Sequence, residues 1–172
     1  MLPLLEFSKS ELFKVYFSYR YEKSQLVLNY KIEGPVQRLY SKTSPKELRK
    51  GKDLWKKTCL EAFFFDEGKS SYTELNFNIL GEYCFIYFED YRKEIIACET
   101  FKCLDINSKF EEKQISAEIH LMVPPGLRFM LSPTAILMPE GKDALYFALQ
   151  HGEKPDFHSR SAIKNQALEL LT

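Results

Sequence analysis

The chain has 172 residues, 45% of them apolar, enough for one domain with a real core and too few for two comfortable ones. Lys plus Arg equals Asp plus Glu at 24 each, which argues against a general electrostatic nucleic-acid binder, and the apolar content excludes a disordered chain. No window approaches the ~18 apolar residues of a membrane helix, and the opening run Met1-Leu-Pro-Leu-Leu-Glu-Phe lacks the basic start of a signal peptide.

A single domain over 1–172 is therefore expected, cytoplasmic, with no nucleic-acid and no membrane partner. Cys59, Cys84, Cys98 and Cys103 then read as reduced thiols. Aromatics reach 15%, with fourteen Phe and ten Tyr, which favours strands.

Residues 11–20 carry Phe13, Val15, Phe17 and Tyr19 at a period of two, and 24–33 repeat the pattern with Leu26, Leu28, Tyr30 and Ile32. The short polar link at Tyr21–Ser24 predicts an antiparallel hairpin, and Gly34-Pro35 ends it. Ser44-Pro-Lys-Glu47 is a capping-box pattern with Pro at the first helical position, so a short helical turn is expected over 44–50, closed by Gly51. The basic residues between Lys42 and Lys57 lack interleaved aromatics and read as a solvated loop, not a single-strand groove.

Three strands follow. In the first, Leu60, Ala62 and Phe64 alternate with Cys59, Glu61, Phe63 and Phe65; in the second, Leu75 and Phe77 alternate with Tyr72, Glu74 and Asn76. The third alternates Cys84, Ile86 and Phe88 with Tyr83, Phe85 and Tyr87, and both connecting turns have hairpin length. With the more apolar set of each strand inward, one face collects Glu61, Tyr72, Glu74, Asn76 and Tyr87. Cys59 and Cys84 fall on opposite faces in that assignment, and a one-residue slip would invert it.

Residues 95–104 and 113–121 read as another pair, joined by a turn at 105–109. Pro124-Pro-Gly126 stops it, 127–138 is a strand interrupted at Ser132-Pro133, and 144–150 is a last strand. A short amphipathic helix is expected over 160–171 from Ala162, Ile163, Ala167, Leu168 and Leu171. The whole pattern predicts an all-β protein, a single antiparallel β-sandwich of nine or so strands with one or two short helices.

Trp55-x-x-Thr58-Cys59-x-Glu61-x-Phe63, then Glu74-x-Asn76-Phe77-x4-Gly81, Tyr91-Arg92 and the closing His151 and Pro155-Asp-Phe-His158, resemble the bacterial DOMON-like proteins related to family 9 carbohydrate-binding modules. The resemblance runs over roughly 50–160. It implies a jelly-roll or immunoglobulin-like sandwich with a ligand site on a concave sheet face, and it adds Trp55, Arg92 and His158 to the strand-borne candidates. Relatives of this kind bind sugars or haem. Sugar binders clamp the ring between two tryptophans, where this chain has one; haem binders use Met and His ligands, for which Met122, Met130 and Met138 with His120 or His151 are the candidates.

The leading expectation is a non-catalytic module for a small-molecule ligand, a carbohydrate first, held by Glu61, Glu74 and Asn76 with Tyr72 and Tyr87 as stacking faces. No cofactor is expected in that reading; a haem-binding redox module and a protein-protein interaction domain are the alternatives. His151, Asp156 and His158 could ligate a metal but read better as a capped turn. A glycosidase carboxylate pair is the weakest reading.

Overall fold

The structure is a computed structural model that describes residues 1–39, 47–95, 100–160 and the backbone of 168–171. The described residues are all-β, with thirteen strands in chain order: β1 Leu2–Glu6, β2 Lys14–Glu22, β3 Gln25–Glu33, β4 Arg49–Lys50, β5 Cys59–Asp66, β6 Tyr72–Phe77, β7 Glu82–Asp90, β8 Lys93–Ile95, β9 Lys102–Glu111, β10 Gln114–Met122, β11 Arg128–Leu137, β12 Leu145–Ala148 and β13 Leu168–Leu171. No helix among the described residues is long and apolar enough to cross a membrane.

The strands form one curled sheet in the order β4-β7-β6-β5-β11-β12-β1-β2-β3-β10-β9, with β8 on β7 and β13 on β11. Where two separate sheets were expected, β1 makes the sheet continuous. Its first half, Leu2 to Leu4, pairs with β2, and its second half, Leu5 and Glu6, pairs with β12. The curl brings the two halves over one core. Tyr30 of β3 donates its hydroxyl to the Glu61 carbonyl of β5 and sets its ring edge-on to Phe77 of β6 at 5.6 Å. Inner-face residues Leu60, Ala62, Phe64, Leu75 and Phe77 meet Phe17, Leu28, Tyr30 and Ile119 from the other half. Each of the Leu, Ile and Phe side chains among them buries enough apolar area to contribute roughly 1.5–3 kcal/mol.

The first hairpin forms as the alternation predicts, with Glu22 opposite Gln25. Its two turn residues, Lys23 and Ser24, both have positive φ, as a two-residue turn matched to strand twist requires.

Several expectations are corrected. Residues 40–46 lie outside the described residues, but Arg49–Lys50 run as a strand parallel to β7, so the helical turn over 44–50 does not extend to its end and the sheet is mixed. The expected C-terminal helix ends instead as β13, paired antiparallel with Arg128–Leu131; residues 161–167 lie outside the described residues. The presumed turn at 105–109 is inside β9, which pairs with β10 from Glu111 back to Lys102.

β11 runs unbroken through Ser132-Pro133. On the side away from β5, β13 pairs up to Leu131 and β12 begins at Thr134. Ser132 and Pro133 fall between these two partners, and a proline is tolerated where a ladder has no bond to lose.

Candidate functional site

Strand registers lay out the site. Glu61 lies opposite Asn76 on one side and Thr134 on the other, and Asn76 lies opposite Cys84, so Cys84, Asn76, Glu61 and Thr134 form one row across β7, β6, β5 and β11. The next row is Ile86, Glu74, Phe63 and Ser132. Residues opposite one another share a sheet face, and these rows face away from the main core. A cleft of about 510 Å³ opens above them, walled by Trp55, Phe88, Ile136, Tyr146 and Phe157.

Glu61, Glu74 and Asn76 do come together. Glu61 is 2% exposed and Asn76 is 0%. Asn76 donates its Nδ2 to Glu74 Oε1 at 2.6 Å and accepts the Cys59 thiol at 3.6 Å, while Thr134 donates its hydroxyl to Glu61 Oε2 at 3.0 Å. Burial pushes the Glu61 carboxyl well above its ordinary range, and the neighbouring Glu74 pushes it the same way. Burial likewise raises Glu74 to about 7, opposed by the Asn76 hydrogen bond. Removing an ion from water costs more than one neutral amide returns.

Pro155–His158 covers the Glu74 end of the cleft. His158 is seated between Phe63 and Phe88, both 5.2 Å from its ring and edge-on. That enclosure, with the Arg92 charge beside it, lowers its pKa to about 4. Its Nδ1 meets the Tyr72 hydroxyl at 2.8 Å, and the same hydroxyl accepts the Arg92 N–H at 3.0 Å. The hydroxyl proton is then free to go to Nδ1, which leaves the imidazole proton on Nε2, 3.7 Å from Glu74 Oε2. Asp156 fixes the loop: it accepts the His158 N–H, the Tyr91 hydroxyl at 2.6 Å and the Arg92 guanidinium at 3.0 Å.

Trp55, Glu61, Glu74, Arg92 and His158 thus line the cleft, and Asn76 lies beneath the two acids. Tyr72 is a buried support, stacked on Phe88 at 4.7 Å, and not a stacking face for a ligand. Tyr87 is on the other face of β7. The pairing of Glu74 with Ile86 sets that parity, which puts Ile86 and Phe88 in the cleft and leaves Tyr87 opposite Thr73, accepting the Thr100 N–H at 3.1 Å. The same parity brings Cys59 and Cys84 to one face, where opposite faces were expected; Cys59, Cys84 and Cys103 are free thiols, and Cys98 lies outside the described residues.

Of the expected haem ligands, Met138 lines the cleft and Met130 packs against the aromatic cluster beside it. His120 and Met122 belong to β10 in the other half of the sheet, and His151 engages the Leu5 carbonyl through Nε2 at 2.7 Å. No group of three metal-ligating side chains is present among the described residues.

Thr134, Glu94 and the walls Tyr146 and Phe157 were not foreseen. Phe63 was open to discovery, because it shares the parity of Glu61; the β11 and β12 residues were not, because their place depends on long-range pairing.

No family model matches the sequence, and no characterised protein matches it. A solved structure does. A proposed carbohydrate-binding protein from Bacteroides uniformis superposes with a TM-score of 0.59 at 16% identity, over 94% of this chain and 82% of the other. At that identity the likeness is one of fold.

Proposed function

We propose that this protein is a non-catalytic module that binds a small carbohydrate in the cleft above Glu61, Glu74 and Asn76. The observation that carries the reading is the floor: two buried carboxyls and a buried amide lie side by side beneath apolar and aromatic walls. Sugars are read by this combination, with polar side chains for the hydroxyls and ring faces for the C–H surfaces. The fold likeness to a proposed carbohydrate-binding protein supports it, as does the DOMON-like motif resemblance.

Hydrolysis is disfavoured by the same floor. A glycosidase needs one acid protonated and the other ionised, which requires environments that push the two apart. Here burial is the largest effect on both carboxyls and raises each, so nothing dedicates one of them to the ionised role.

The test is a thermal-shift screen against a broad sugar panel. A binding sugar raises the melting temperature with concentration. The reading predicts at least one such sugar and no cleavage of it on prolonged incubation; no shift across the panel contradicts binding, and cleavage contradicts the non-catalytic assignment.

A further inference from the structure

We propose that the sugar taken by this cleft carries a free, protonated amine, so that an amino sugar is preferred over its neutral or N-acetylated counterparts. The inference rests on the reading of the cleft as a sugar site, and it follows from the balance of charge and hydrogen-bond donors there.

Three carboxyl groups line the cleft, those of Glu61, Glu74 and Glu94. Among the described residues the cationic side chain in the lining is Arg92, and its guanidinium is already held by Asp156 at 3.0 Å, by the Tyr91 hydroxyl at 3.3 Å and over the Tyr91 ring at 5.7 Å. His158 contributes an uncharged ring whose Nε2 stays 3.7 Å from Glu74, beyond a hydrogen bond. Among the described residues, Arg92 is thus the one cation that acts on these acids, and it does so at a distance while bound to Asp156.

Glu61 makes the point most sharply. It is 2% exposed, and Thr134 occupies Oε2. Among the described residues nothing donates to its other oxygen, although the side chain lines the cleft. That oxygen faces the cleft, and burial keeps the carboxyl neutral until a cation arrives to pair with it. An ammonium supplies both donor and cation, since it has three donors and a positive charge. A sugar hydroxyl supplies one donor and no charge.

The walls agree. They are aromatic, with Trp55, Phe63, Phe88, Tyr146 and Phe157 in the lining, and the Trp55 ring already accepts one cation, Lys56 Nζ, at 5.1 Å. A hard divalent metal fits less well. It needs six or more oxygens, and the described residues group no three ligating side chains together.

Binding of an ammonium also has a proton signature. An acid that is protonated in the empty cleft passes its proton to the buffer and pairs with the ammonium as a carboxylate. The groups facing this exchange are Glu61 and Cys59 from β5, Glu74 from β6, Cys84 from β7, Glu94 from β8, Arg92 from the β7–β8 turn and His158 from the covering loop. A neutral sugar pairs with the acids as they stand and releases nothing.

The experiment is calorimetric titration of the full chain at about pH 6, where the ligand amine is already charged and the buried acids are still protonated, with β-1,4-linked oligomers of glucosamine, N-acetylglucosamine and glucose, equal in length. Each is run in two buffers of different ionisation enthalpy. The three ligands differ at one substituent. The glucosamine oligomer is expected to bind at least about ten-fold tighter than the other two, with a buffer-dependent heat that reports proton release. Glu61→Gln should remove both the preference and the release. Should that variant fail to fold, Glu94→Gln, at an exposed position, should still reduce the preference. Equal or tighter binding of the neutral or N-acetylated oligomer overturns the amine assignment and leaves the sugar reading standing. So does binding confined to other neutral sugars of the panel. Failure of every sugar, these three included, overturns both.

Discussion

Glu74 Oε2 and His158 Nε2 lie 3.7 Å apart, and they form no ion pair at neutral pH because the imidazole is uncharged. Burial raises the acid to about 7 and lowers the imidazole to about 4. A salt bridge between them would need the opposite shifts. Their proximity is that of an uncharged imidazole N–H directed at a carboxyl, on one wall of the cleft.

Glu74 should make stability depend on pH with a definite sign. Unfolded, its carboxyl gives up a proton near 4.5; folded, it keeps the proton until about 7. Between those values the unfolded state binds fewer protons, so stability falls as pH rises. The shift corresponds to roughly 3 kcal/mol. Comparing the wild type with Glu74→Gln isolates this contribution. The variant should gain on the wild type by that order between pH 4.5 and 7 in urea unfolding, and an unchanging difference would contradict the buried acid.

His158 acts in the other direction. Its folded value of about 4 lies below the ordinary 6.5. As pH falls from 6.5 to 4 the unfolded imidazole protonates first and stability is lost. His158→Gln should flatten that acid limb of the stability profile. A limb that persists unchanged would assign it to other groups.

Tyr72→Phe tests the support beneath His158. The hydroxyl accepts from Arg92 and meets His158 Nδ1, and both are left without it. A loss of about 1–2 kcal/mol is expected, together with weakened ligand binding, because the 155–158 cover loses its anchor. Tyr87→Phe, on the opposite face, should leave binding unaltered. A binding defect there would contradict the observed parity of β7.

The two sheet halves are joined by one buried side chain that can be edited cleanly. Tyr30→Phe keeps the ring against Phe17 and Phe77 and removes the hydroxyl from the Glu61 carbonyl. The expected loss is about 1 kcal/mol in denaturant unfolding. No change would mean that the contact contributes nothing across the core.

Much of the fold's local order was legible in the sequence, and its limits are physical. Alternation in 59–65 and 72–77 places polar residues on one side of each strand, so Glu61, Glu74 and Asn76 could be assigned to a common face before any pairing was known. The third strand offered no such contrast. Tyr83-Cys-Phe-Ile-Tyr-Phe88 is bulky on both faces, and its parity is decided by the register of Glu74 with Ile86. The tail was ambiguous for a related reason: apolar residues at 162, 163, 167, 168 and 171 suit a helix, while the exposed edge of Arg128–Leu131 takes the last four as a strand. Thr134 and Tyr146 enter the site because β11 lies beside β5 and β12 beside β11, which are long-range pairings that no local pattern encodes.

Trp55 gives the most direct test of the central claim. It is the single tryptophan, it is 47% exposed, and it stands in the cleft wall. A sugar that occupies the cleft must change its surroundings. Titration of tryptophan fluorescence with the sugar panel should show a saturable change for at least one sugar in the wild type. The change should be absent in a folded Glu74→Gln protein. A flat titration for every sugar, or a change that survives in Glu74→Gln with the same midpoint, would contradict a carbohydrate site built on this floor.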